Sequence, residues 1–141
     1  MKPATKDRVT RAVVGVHRAL YRLSGGRVAG RVAGMPVLLL TTQGRTTGRP
    51  RTVPLTWLPD GDAIVLVASY GGDDRHPGWY RNLCADPRVE VLQGRCRRKM
   101  TARTATPEER DRLWPTVVAT HPGYARYQAR TARHIPLVVL G

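Results

Sequence analysis

From Pro36 onward the hydrophobic period of the chain changes from helical to strand-like, and that change limits the fold more than any other feature of the sequence. Val37 to Thr42 is a short apolar run, Arg51 to Leu58 is a second, and Ala63 to Ser69 is a third. Gly44-Arg45-Thr46-Thr47-Gly48 divides the first pair and Pro59-Asp60-Gly61-Asp62 the second. Both dividers carry turn chemistry, so the three runs read as an antiparallel meander. Pro77 suits the first position of a short helix, Gly78 to Ala85, which stops before Asp86-Pro87. Arg88 to Leu92 and Arg97 to Ala105 form a further hairpin around Gln93-Gly94. Thr106 and Glu109, with Pro107 at the first helical position, make a capping box for a helix to about Thr120. A second short helix starts near Pro122, and Ile135 to Leu140 closes the chain as a strand. The order β-β-β-α-β-β-α-α-β contains no repeated βαβ unit, which argues against a dinucleotide-binding doubly wound sheet. The expectation is an α+β domain: six short strands, mostly antiparallel, in a small closed or split barrel with peripheral helices.

Ahead of the barrel, residues 5–23 predict an amphipathic helix. Val9, Ala12, Val13, Val16, Leu20 and Leu23 recur at three- and four-residue steps, with Arg8, Arg11, Arg18 and Arg22 largely off that stripe. Two readings compete: a helix laid on the core, which is favoured, and a basic interfacial helix touching a membrane. Ser24-Gly25-Gly26 through Gly34 is small, glycine-rich and basic, a loop. The organisation is then residues 1–35 as helix and loop and residues 36–141 as the barrel, one domain overall. Arginines interrupt any signal-peptide core in the first 23 residues, and no stretch approaches the roughly 18–20 apolar residues a spanning helix needs. A soluble, cytoplasmic protein is expected, with peripheral contact at the inner face of a membrane as the variant.

Charge narrows the partners. The 141 residues carry 24 basic and 10 acidic side chains, a formal +14, and only three of the basic residues (Lys2, Lys6, Lys99) are lysine. Such a field attracts polyanions, and the planar arginine fork suits phosphate and carboxylate. Nucleic acid, an anionic membrane and a polyanionic cofactor all qualify. Against nucleic acid, aromatic residues are few and none of the familiar basic-aromatic signatures occurs. Cys84 and Cys96 have no metal-ligand spacing, and reduced, partly buried thiols are expected.

Several constellations carry candidate chemistry. Gly44 to Arg51 packs three arginines, two hydroxyls and two glycines into eight residues, able to hold a phosphate or to be a solvated hairpin. Asp73-Asp74 with His76 lacks a second ligand cluster, so no metal is expected. His121, Tyr124 and Tyr127, spaced by three, align on one face if a single helix holds them; otherwise His121 caps it. Trp79 and Tyr80 fit either the core or a cofactor wall. No serine or cysteine hydrolase arrangement offers itself.

Taken in order, the segments resemble the deazaflavin-dependent nitroreductases and quinone reductases of actinobacteria. The residues that carry the resemblance are Leu39 to Arg51, Pro54-Leu55, Val67 to Gly72 and His76 to Leu83. Asp86-Pro87, Thr101 to Arg103, Glu108 to Arg110 and Ile135-Pro136 continue it. The resemblance implies a split β-barrel and the coenzyme F420, whose phospholactyl-oligoglutamate tail is polyanionic. It implies that Arg45, Thr46, Thr47 and Arg51 hold the phosphate, and that Thr52, Val53, Pro54, Leu55 and Thr56 run along the deazaflavin. Val67, Ala68, Ser69 and Tyr70, with Gly78, Trp79, Tyr80, Arg81 and Asn82, would line the rest, and Tyr124 would close over the ring. Ser69, Tyr124, Tyr127 and His121 are the implied catalytic set, placing the acceptor or stabilising charge on it. The family's nitro-reducing members often carry a basic residue where Thr46 stands and tyrosines in place of Thr56 and His121. Those departures favour a quinone, menaquinone-like, over a nitroaromatic acceptor. FMN is the alternative cofactor, and a non-catalytic F420 carrier or a nucleic-acid-binding module the alternative class.

Overall fold

The computed structural model describes residues 3–26, 31–32 and 35–141. Helix α1 (Pro3–Ser24) leads; the strands are β1 (Arg31–Val32), β2 (Met35–Gln43), β3 (Pro50–Thr56), β4 (Leu58–Asp60) and β5 (Ala63–Val67). Helix α2 (Gly78–Ala85) follows, then β6 (Arg88–Gln93), β7 (Cys96–Thr104), α3 (Pro107–Thr120), α4 (Gly123–Ala129) and β8 (Leu137–Leu140). The six expected strands are all present. Two short ones join them: β1, within the expected 24–35 loop, and β4, which takes the start of the expected Pro59–Asp62 turn. Residues 27–30 and 33–34, the rest of that loop expectation, lie outside the described residues.

The strand order is β1-β2-β6-β7-β8-β5-β4, with β3 also paired to β2, and every pairing is antiparallel. Among the described residues, hydrogen bonds therefore do not close the ring. The backbone does: β3 and β4 are one extended segment bent at Trp57, so the strand that pairs with β2 at one end of the path continues into the strand that pairs with β5 at the other. That is a split barrel.

The continuous apolar runs of the sequence are explained by double burial, since a strand covered on both faces has no polar side. In β2, Leu38 and Leu40 point into the barrel with Leu66, Val91 and Val138, whereas Val37 and Leu39 meet Tyr21 of α1. In β5, Ile64 and Leu66 face inward, and Val65 and Val67 pack outward with Leu113, Val117 and Tyr124 of the C-terminal helices. The expected capping box is formed: Glu109 N–H donates to Thr106 Oγ1 at 3.3 Å, and Thr106 N–H donates to Glu109 Oε1 at 3.0 Å. Pro77 stands one residue before the first position expected for it, at the N-cap of α2.

The favoured reading of α1 is corrected. Its apolar stripe does not lie on the core: Val9, Val13, Val16, Leu20 and Leu23 are exposed, Leu23 at 85%. The barrel instead offers polar groups, and the other edge of α1 meets them. Arg18 Nη1 donates to Thr52 O at 3.4 Å, Tyr21 Oη donates to Leu92 O at 3.3 Å, and Gly94 N–H donates to Tyr21 Oη at 2.6 Å. Cys84 and Cys96 are free, as expected, but exposed rather than partly buried.

Candidate functional site

A cavity of about 910 Å³ lies between the inner edge of α1, strand β3, the segment leaving β5 and the start of α2. Position along β3 divides it. Arg51 stands near one end of that strand and Thr56 at the other, roughly 17 Å apart at the rise of an extended strand.

The Arg51 end is cationic. Arg45 reaches it from the β2–β3 turn and is held by Asn82, whose Oδ1 accepts from Arg45 N–H at 3.2 Å and Nη1 at 2.7 Å. Asn82 is buried, and its Nδ2 donates to Thr42 Oγ1 at 3.1 Å, so the α2 helix is bracketed to β2 through one amide. Arg45 Nη1 also donates to Gly78 O at 3.4 Å, which lays the guanidinium across the first turn of α2. That helix begins at Pro77 with no side-chain cap, leaving first-turn N–H groups and the positive end of the helix dipole beside two arginines.

At the other end lie hydroxyls. Thr56 Oγ1 and Tyr124 Oη are 2.7 Å apart, and Ser69 lines the wall nearby along the chain from Val67. Burial pushes the Tyr124 phenol above its ordinary pKa, against the pull of the Thr56 hydrogen bond, so the ring keeps its proton at neutral pH. Between the two ends Val53, Pro54, Leu55 and Trp79 make an apolar wall.

Of the candidate residues, Arg45, Arg51, Val53 to Thr56, Val67, Ser69, Tyr70, Gly78, Trp79, Asn82 and Tyr124 line this cavity. The others do not. Thr46 and Thr47 are exposed in the turn, where Thr47 Oγ1 accepts from Arg49 N–H. Thr52 faces β2, with its Oγ1 2.8 Å from that of Thr41. Ala68 is buried in the barrel, Tyr80 lies tilted against His76 with its hydroxyl 2.9 Å from Thr104 Oγ1, and Arg81 is exposed. His121 and Tyr127 back Tyr124 rather than reach the cavity, at ring-centroid distances of 5.1 and 6.0 Å. His121 is the C-cap of α3, so the spacing by three spans two helices. The acidic loop is used internally: Asp73 pairs with Lys6 at 3.0 Å, and Asp74 accepts from Thr131 Oγ1.

The wall missed by sequence reasoning is α1. Asp7, Thr10, Arg11, Val13, Val14 and His17 line the cavity, and Tyr70 Oη donates to Asp7 Oδ1 at 2.6 Å. The signal was present in the helix pattern: Asp7, Thr10, Arg11, Val14 and His17 lie off the apolar stripe, and Val13 sits at its border. A second groove of about 800 Å³, across β2, β6 and β7, contains none of the candidate residues.

A family model described as F420H(2)-dependent quinone reductase matches residues 13–141. The chain belongs to that family. An F420H(2)-dependent quinone reductase of Mycobacterium tuberculosis is 48% identical over 129 residues, 89% of this chain and 87% of that protein. Among solved structures, an F420-H2 dependent reductase is 40% identical with a TM-score of 0.69, covering 75% of this chain and 94% of its own. A domain-swapped dimer is 37% identical with a TM-score of 0.71, covering 89% of this chain and 96% of its own.

Proposed function

We propose that this chain passes a hydride from reduced F420 to a quinone held in the cavity beneath α1. The observation that carries the reading is the polarity of the cavity, cationic at one end and hydroxyl-bearing at the other, with an apolar wall between. The donor set fits the cofactor. Arg45, Arg51 and the uncapped first turn of α2 would hold the phosphate, and Val53 to Thr56 with Trp79 would flank the flat ring system. Thr46 and Thr47, exposed at the turn, lie where they could follow the anionic tail outward. When bound, the reduced deazaflavin supplies the hydride. The chain's own contribution is placement and charge stabilisation: Ser69 and the protonated Tyr124 orient the acceptor and donate hydrogen bonds to the oxygen on which negative charge develops. Family membership favours F420 over FMN.

The acceptor is inferred to be a membrane quinone of the menaquinone type, and α1 gives a route to it. Its exposed apolar stripe and flanking arginines suit an anionic lipid surface, and no described helix is long and apolar enough to cross a membrane. Co-sedimentation with anionic but not neutral vesicles, lost in Val16→Glu, is the expected result. Equal recovery with both vesicle types removes the membrane reading.

Fluorescence titration of F420 at moderate salt, with FMN and duplex DNA in parallel, tests the cofactor. Saturable binding of F420 alone is expected, and Arg51→Ala should weaken it about tenfold or more without loss of folding. Unchanged affinity in that variant removes the phosphate assignment, and preferential FMN binding removes F420.

A further inference from the structure

Ser69 and Tyr70 enter the cavity wall from a short segment that joins β5 to α2, and its backbone is unusual. Tyr70, Gly71 and Gly72 follow one another with φ of 45°, 64° and 81°, three consecutive left-handed residues of which the first is not glycine. Left to itself, a chain does not hold such a path. Gly72 is jammed as well: a Cβ there would sit 2.6 Å from Tyr127 O.

Lys6 Nζ donates to Tyr70 O at 3.2 Å and Arg130 Nη1 to Gly71 O at 3.3 Å, and a third side chain spans the two ends of the segment. Arg133, between α4 and β8, donates from Nε to Asp73 O at 2.8 Å and from Nη2 to Ser69 O at 2.8 Å. Nη1 and Nη2 each donate to Ala68 O at 3.2 Å, and Nη1 lies 3.2 Å from His76 Nδ1. Its guanidinium thus holds the carbonyls at both ends of the left-handed run. Desolvation of His76 and the neighbouring Arg133 charge both lower the imidazole pKa, which suits a neutral ring accepting from that guanidinium. The base of Arg133 is itself fixed: Gln128 Nε2 donates to Arg133 O at 2.7 Å, and Gln128 Oε1 accepts from Ile135 N–H and Arg110 Nη2.

We propose that Arg133 is the positioning residue of the site. It does not line the cavity. It fixes the Ala68 and Ser69 carbonyls, and with them the course of the backbone from which the Ser69 side chain projects into the wall. The Ser69 hydroxyl is held in the wall by that constraint, whereas the Tyr70 ring has its own hold through Asp7 Oδ1. A lysine keeps the charge but has one nitrogen, which cannot serve Asp73 O and Ser69 O together in the manner of a planar fork. The catalytic part of the inference rests on the reading of the cavity as the reductase site.

Arg133→Lys and Arg133→Met test it, with two readouts. Hydrogen exchange of the cofactor-free protein should accelerate over residues 69–76 and stay unchanged in α3 and in the β6–β7 hairpin. Turnover of quinone with F420H2 should fall about tenfold or more, by analogy with other small misplacements of catalytic groups. Ser69→Ala should cost little further activity in the Arg133→Lys background, because the hydroxyl is already misplaced. Methylguanidinium should restore turnover to Arg133→Ala but not to Ser69→Ala. Exchange over 69–76 at the native rate in both variants overturns the proposal, as does an increase spread evenly over the chain. Full additivity of the Ser69 and Arg133 losses overturns it too. A wild-type protein inactive with F420H2 defeats the cofactor reading instead, and the exchange result still decides what Arg133 holds.

Discussion

Helices α1 and α3 are both laid against the same barrel, and they bury opposite kinds of face. Helix α3 turns Leu113 and Val117 into a cluster with Val65, Val67 and Leu137, and covers its arginine by stacking Arg110 on Trp114 at 4.3 Å. Helix α1 leaves Val9, Val13, Val16, Leu20 and Leu23 exposed and docks through Lys6, Asp7, Arg18 and Tyr21. The first attachment is hydrophobic and contributes to the stability of the whole fold. The second rests on the buried Tyr21 ring against Val37 and Leu39 together with hydrogen bonds and part-exposed ion pairs, and salt screens the ion pairs, which contribute little to global stability. An amphipathic pattern therefore identifies which face of a helix is apolar without saying which face is docked.

That contrast can be broken most sharply in the core. Leu113→Ala should cost about 2–4 kcal/mol in denaturant unfolding, whereas Val16→Ala should stay within about 0.5 kcal/mol. Comparable losses would mean that the α1 stripe is buried in solution, against lipid or a second copy. A smaller effect is expected from Tyr21→Phe, which removes the bonds to Gly94 N and Leu92 O. It should cost about 1–2 kcal/mol and speed amide exchange in α1 more than in α3. Smallest at neutral pH is the response to acid. Hydrogen bonds from Tyr70 and Arg75 lower the pKa of Asp7, and those from Arg75, with a lesser one from Lys6, lower that of Asp73, both from the ordinary 3.8. Groups lowered on folding support the docked helix above their unfolded pKa and lose that support as pH falls through the folded values. The NMR shifts of Tyr70 should therefore stay flat across neutral and mildly acidic pH and move only below the ordinary carboxylate range. A change near neutrality would contradict the assignment to Asp7 and Asp73.

Much of the architecture was legible. The Thr106–Glu109 box, the Gly61 and Gly94 turns with φ of 58° and 60°, and the strand limits all depend on residues within a few positions of one another. The family resemblance pointed to the β2–β3 turn and to β3, and Arg45, Arg51 and Val53 to Thr56 from those segments line the cavity. Thr46, Thr47, Thr52, Ala68, Tyr80 and Arg81 belong to the same segments but do not line the cavity, since a strand or helix presents only some of its side chains to any one surface.

By itself the sequence determined the elements, the turns between them and the antiparallel class, because propensity, capping and hydrophobic period act over one or two turns of chain. The tertiary structure alone decided that the ring closes through a bend at Trp57 and that α1 walls the cavity with its polar edge. It also decided that Thr56 meets Tyr124, and that Arg133 reaches back to Ser69. Those pairings join residues some sixty positions apart, and no local rule of the backbone specifies which distant carbonyl or hydroxyl a side chain will find.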